Sequence, residues 1–131
     1  MTRFLLVGLG GALGSMARYG VGQMVGRLFP TGGWPVGTLC VNIVGGLAMG
    51  LLVGWLGLRA GAGQDSVRLF AAVGLLGGFT TFSAFSLETV LMIERRQYGL
   101  AAGYVAVSVV LAAVALFAGL MLARRLFGAA L

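Results

Sequence analysis

The stretch Gly74-Leu75-Leu76-Gly77-Gly78-Phe79-Thr80-Thr81-Phe82-Ser83-Ala84-Phe85-Ser86 decides how this chain folds, because it places helix-breaking and hydroxyl-bearing residues in the middle of a long apolar segment. Glycine forms helix more poorly than any residue except proline, so Gly77 and Gly78 are expected to break the segment. The hydroxyls of Thr80 and Thr81 suit the cap of a restarting helix. Two half-helices meeting at a non-helical turn follow. Irregular backbone at membrane depth persists only where protein or a polar cavity satisfies its N–H and C=O groups. The turn is thus a candidate ion site; a glycine hinge that only lets helices approach closely is the alternative.

The rest of the chain supplies the membrane setting. Of 131 residues, 60% are hydrophobic, 24 are glycine and 9% are charged, with a mean hydropathy of +1.04. Soluble domains carry about 25% charged residues, so the expected class is an all-α integral membrane protein, one domain over residues 1–131. The net charge of +6 comes from nine arginines and no lysine against three acids. These arginines sit mainly at the ends of apolar runs, which fits membrane-interface anchoring and not nucleic-acid binding. Histidine is absent and Cys40 is the sole cysteine. Intrachain disulfides, Cys/His metal sites and Ser-His or Cys-His catalysis are therefore excluded, and no enzyme is expected.

Four transmembrane helices are expected at about residues 4–25, 35–58, 69–93 and 98–122, the third broken near 77–80. The first is too long for the apolar core of a signal peptide. Along it Gly10, Gly14, Arg18, Gly22 and Gly26 recur every four residues and share a face suited to close helix approach. Arg18 on that face is expected to meet protein, as a functional charge or as structural glue. Pro30, Gly32, Gly33 and Pro35 make a turn, with Trp34 at the membrane interface and Pro35 in the first turn of the second helix. There Thr38, Asn42, Gly46, Gly50 and Gly54 again fall every four residues. An unsatisfied amide in lipid costs several kcal/mol, so Asn42 must meet another helix or an aqueous path.

Residues Arg59 to Arg68, with Gly61, Gly63, Gln64 and Asp65, read as a polar loop. Beyond the break, Phe82, Phe85 and Glu88 are spaced by three and lie near one helical face, flanked by Ser83 and Ser86. Either ring alone would read as lipid-facing or packed. Glu94, Arg95, Arg96 and Gln97 form a tight polar turn, and Tyr104 and Ser108 give the last helix a hydroxyl stripe. Four spans put both termini on one side. Arg3, Arg59, Arg68, Arg124 and Arg125 collect there, against Arg27, Arg95 and Arg96 opposite. So weak a bias suggests a subunit that inserts both ways up. Glycine-rich helices bury little alone, so an oligomer is expected, with the small-residue stripes as its contacts.

Three stretches in order, Gly10 to Tyr19, Gly37 to Asn42 and Gly74 to Ser86, resemble the Fluc (CrcB) fluoride channel family over the whole chain. The resemblance implies an antiparallel, dual-topology homodimer with two pores in the cell (inner) membrane. It implies passive export of cytoplasmic fluoride down its electrochemical gradient, and hence fluoride resistance. Carried over position by position, it has Asn42, Thr81, Phe82, Ser83, Phe85, Tyr104 and Ser108 line the fluoride path. Arg18, Thr38 and Glu88 stand at the pore entrance or serve structure. The backbone carbonyls of Gly77 and Thr80 from both subunits hold one structural sodium ion at the dimer axis. Ala84 stands where the family often has threonine, and Ala112 continues the Tyr104–Ser108 row without a hydroxyl.

The residue chemistry suits such an anion. Fluoride is small and strongly hydrated, so a selective path must replace its water with donors. Asn42, Ser83, Tyr104 and Ser108 offer N–H and O–H groups, and the ring edges of Phe82 and Phe85 carry partial positive charge. A full positive charge would hold the anion too tightly for exit. The alternative is a small four-helix proton-coupled multidrug exporter, which needs a carboxylate deep in the membrane. Glu88 is the sole acid in a span, and the first helix carries Arg18 instead.

Overall fold

The structure is a computed structural model that describes residues 1–30, 33–59 and 63–128. Four helices long and apolar enough to cross a membrane run Thr2–Leu28, Val36–Gly57, Gln64–Glu94 and Tyr98–Gly128. The chain is an all-helical, multi-pass membrane protein. Gly32 of the expected turn and Gly61 of the expected loop lie outside the described residues.

The third span begins at Gln64, so Gln64 to Arg68 is helix and not loop. Gly63 precedes it with φ 104°, a backbone conformation that a side chain would strain. Asp65 sits in the first turn, where a negative charge meets the positive helix end, and lies 3.5 Å from Arg3. Both partners of that pair are exposed, so it contributes little. From Arg68 to Leu76 the helix widens into π turns, and Gly77–Phe79 returns to α geometry.

Gly77 and Gly78 do not break the helix; the break falls at Thr80 (φ −77°, ψ 158°) and Thr81 (φ −150°, ψ 121°). Gly78 serves close approach instead: a Cβ there would stand 2.6 Å from the Gly11 carbonyl oxygen of the first helix. The restarted half, Phe82–Glu94, is capped by Thr81, whose hydroxyl accepts from the Ala84 N–H at 3.2 Å. It ends with Arg96 at φ 59°, the Gln97 N–H donating to the Met92 carbonyl and the Arg96 N–H to the Ile93 carbonyl. That Schellman closure makes the turn into the fourth helix tight.

The helices associate chiefly in two pairs, the first with the leading half of the third and the second with the fourth. Gly10 and Gly14 lie against the carbonyls of Phe70 and Leu75, and Gly50 against the carbonyl of Leu116. Gly10 and Gly14 of the first stripe and Gly46, Gly50 and Gly54 of the second therefore knit one subunit together and are not free as contacts between subunits, whereas a Cβ at Gly22 or Gly26 would meet nothing within 4 Å. In lipid this close fit is the main source of helix association, because tails and side chains are equally apolar. The faces left uncovered carry Phe4, Leu9, Leu13 and Met16 on the first helix and Phe82 on the third, all exposed.

Candidate functional site

The break is held open by Asn42. Its side-chain oxygen accepts the Thr81 N–H at 2.8 Å, and its amide nitrogen donates to the Thr81 carbonyl at 3.0 Å. Second helix and break are joined by a reciprocal pair that imitates a strand ladder and satisfies both backbone groups at membrane depth. The clamp also redirects donors. In a continuous helix the Thr81 N–H would serve the Gly77 carbonyl and the Ala84 N–H the Thr80 carbonyl. Here those donors engage Asn42 and the Thr81 hydroxyl, which leaves the Gly77 and Thr80 oxygens without their usual helical partners.

A cavity of about 400 Å³ opens at the break, lined by Asn42, Gly45, Thr80, Thr81, Phe82, Phe85 and Ser108 together with Met49, Ala112 and Leu116. The Phe82 and Phe85 rings stand 5.6 Å apart at 43°, and Phe85 meets Tyr104 at 5.4 Å and 42°. Several hydroxyls nearby are already engaged. Thr80 bonds back to the Leu76 carbonyl, Ser86 to that of Phe82 and Thr89 to that of Phe85. Ser108 differs. Its buried hydroxyl stands near that of Tyr104 without closing a hydrogen bond to it or to any other described residue, and it lines the cavity.

Glu88 forms the second polar centre. One carboxyl oxygen accepts from the Thr38 hydroxyl at 2.6 Å and the other from the Tyr104 hydroxyl at 2.7 Å. Second, third and fourth helices thus meet on one acid. Thr38 and Glu88 also line a cavity of about 330 Å³ with Gly22, Gly26, Trp34 and Gly37.

The structure brings together Asn42, Thr81, Phe82, Phe85 and Ser108 in one cavity. Tyr104 is fully buried behind Phe85 and directed at Glu88. Ser83 is on the exposed side, its hydroxyl 3.3 Å from that of Thr81. Arg18 is half-buried, lines neither cavity, and has no hydrogen bond or ion pair among the described residues. Gly77 is exposed. Sequence reasoning missed two residues. Gly45, a buried cavity-wall glycine facing the Thr80 methyl, follows Asn42 by three residues on the same helical face but falls outside the row spaced by four. Trp34, expected at the membrane interface, is half-buried against Tyr104.

A four-helix membrane protein whose broken helix opens into a cavity of donors and ring edges has the architecture of a small transport protein. Residues 5–120 match the family described as CrcB-like protein, Camphor Resistance (CrcB), and the chain belongs to that family. It is similar to a protein of Caulobacter sp. (strain K31), 59% identical over 97% of this chain and 98% of the relative. A relative from Phenylobacterium zucineum (strain HLK1) is 60% identical over 97% of this chain and 99% of its own length. Another, from Paracoccus denitrificans (strain Pd 1222), is 55% identical over 95% of this chain and 96% of its own. All three are named fluoride-specific ion channel FluC.

Proposed function

We propose that this chain is a fluoride-selective channel that lets cytoplasmic fluoride leave passively across the cell (inner) membrane, conferring fluoride resistance. The observation that carries the reading is Ser108, a buried hydroxyl without a hydrogen-bond partner among the described residues, on the wall that Asn42, Phe82 and Phe85 share. A buried polar group normally has a partner, so this one calls for a guest. Asn42 uses one amide hydrogen on Thr81 and keeps a second. Ring edges complete a shell of weak positive ends, strong enough to replace water around a small anion and weak enough to release it. Hydrogen fluoride enters cells neutral and ionises, and the anion then leaves down the membrane potential.

The working unit is an antiparallel, dual-topology homodimer. Phe82 is 78% exposed in the single chain although its ring borders the cavity. A second subunit supplies the missing wall. With Cys40 replaced by alanine, a cysteine placed at Ser66 should be labelled in about half the molecules from each side of a native membrane, given the weak arginine bias. Labelling from one side only would exclude dual topology.

One sodium ion at the dimer axis fits the Gly77 and Thr80 carbonyls, whose helical donors are engaged elsewhere. Two carbonyls from each subunit would give an oxygen shell for a hard monovalent cation, holding the two breaks together. After prolonged exchange into sodium-free solution, the dimer should melt at lower temperature and recover with sodium but not with a large organic cation. Unchanged melting would leave the carbonyls to ordered water.

The proton-coupled exporter fits less well, because both oxygens of Glu88 are engaged by hydroxyls of its own subunit. Fluoride efflux from liposomes holding the purified protein separates the two. Efflux is expected when a potassium ionophore relieves the membrane potential, with no need for a proton gradient. Drug-driven proton exchange without fluoride efflux would establish the exporter.

A further inference from the structure

Trp34 has a place that the donor-lined cavity does not explain. Its backbone is held by the turn: its carbonyl accepts the Val36 N–H at 2.9 Å, and Pro35, the next residue, disfavours helical backbone there. The side chain turns inward. Its ring stands 6.2 Å from that of Tyr104 at 59°, and its edge lies over Gly103, where a Cβ would approach to 3.2 Å. Phe82, Phe85, Tyr104 and Trp34 therefore form one unbroken row of rings. The row starts in the cavity at the break and ends in the cavity that Thr38 and Glu88 line.

Between those ends the ring of Tyr104 has no room to choose its own angle. Phe85 and Trp34 both pack against it, with Met92 and Ala101 in the same cluster. Its hydroxyl reaches Glu88 at 2.7 Å only in this orientation, since a hydrogen bond weakens steeply once tilted. Trp34 borders the second cavity. Without the indole, that cavity would extend to the Tyr104 ring, giving it space to turn and its hydroxyl water to bond. We infer that Trp34 is a positioning residue for fluoride conduction: by closing the second cavity against Tyr104, it holds the Tyr104 hydroxyl on Glu88. The inference rests on the fluoride reading above.

Fluoride efflux from liposomes should be compared for the native chain, Trp34→Ala, Trp34→Phe, Tyr104→Phe and the double variant Trp34→Ala/Tyr104→Phe. Trp34→Ala should slow efflux by about two- to tenfold, the range of one aromatic contact. Trp34→Phe keeps a ring and should restore most of the rate. Tyr104→Phe keeps its ring and loses the hydroxyl, so adding Trp34→Ala to it should cost far less than the same change costs the native chain. A purely structural tryptophan would lower the yield of dimer and act with equal force in both backgrounds. Equal rates for the native chain and Trp34→Ala, or full additivity in the double variant, would overturn the assignment while leaving the fluoride reading intact. If Trp34→Ala yields no dimer, the smaller Trp34→Leu takes its place in the same cycle. No efflux from the native chain would overturn the fluoride reading and the role of Trp34 with it.

Discussion

Asn42→Asp is expected to abolish fluoride efflux. Asparagine gives the break an acceptor for the Thr81 N–H and a donor for the Thr81 carbonyl. Aspartate keeps the first and replaces the second with an oxygen facing an oxygen 3.0 Å away in the native geometry. The ionised carboxylate also borders the cavity that fluoride must occupy. Two like charges about 5 Å apart at an effective dielectric near 20 repel by about 3 kcal/mol, more than a hundredfold in occupancy. Efflux recorded with a fluoride electrode at neutral pH measures the loss, and size-exclusion profiles show whether the protein remains assembled. Native-like efflux from well-folded Asn42→Asp would remove this residue from the path.

Gly50→Val should be the most damaging single change to the fold. A Cβ at Gly50 would lie on the Leu116 carbonyl and 2.8 Å from the Leu120 nitrogen, backbone atoms that cannot turn aside. Gly119 faces the Leu47 carbonyl in the same way, so the second and fourth helices meet along a seam closed on both sides. Overfilling a close-packed contact commonly costs 1–3 kcal/mol, and a branched side chain against backbone lies at or above the top of that range, about 3 kcal/mol. The variant should fail to yield monodisperse protein, or melt far below the native chain. Gly57→Ala, which meets nothing within 4 Å, is the control and should be neutral. Normal assembly of Gly50→Val would mean that the seam is looser than described.

The apolar runs and their polar ends made four spans legible in the sequence, because lipid demands length and composition alone. The break was legible as an event and misplaced by its cause. Glycine propensity pointed at Gly77 and Gly78, yet a helix held against Gly11 and Gly14 of a neighbour tolerates both. What opens the backbone is the Asn42 amide, 39 residues away in sequence from Thr81. The stripes showed the same limit. Spacing by four identified faces for close approach, but whether a partner helix lies in the same chain or another is a tertiary fact. Asn42 and Ser108 stood out as polar groups in apolar helices, whereas Phe82 and Phe85 read alone as lipid-facing or packed and were singled out through the family resemblance. Trp34 was missed because tryptophan beside a proline at the end of a span has the ordinary signature of an interface anchor. Only the fold turns it toward Tyr104.

The most direct test of the central claim is the reversal potential of the purified protein in a planar bilayer. Fluoride should be graded tenfold across the membrane, with chloride, sodium and pH equal on both sides. A fluoride-selective path lined by Asn42, Phe82, Phe85 and Ser108 predicts a reversal potential of about 59 mV, of the sign that brings an anion to equilibrium. That value should not move when a chloride gradient is added. A potential that follows chloride or protons, or no current from assembled protein, would contradict the account.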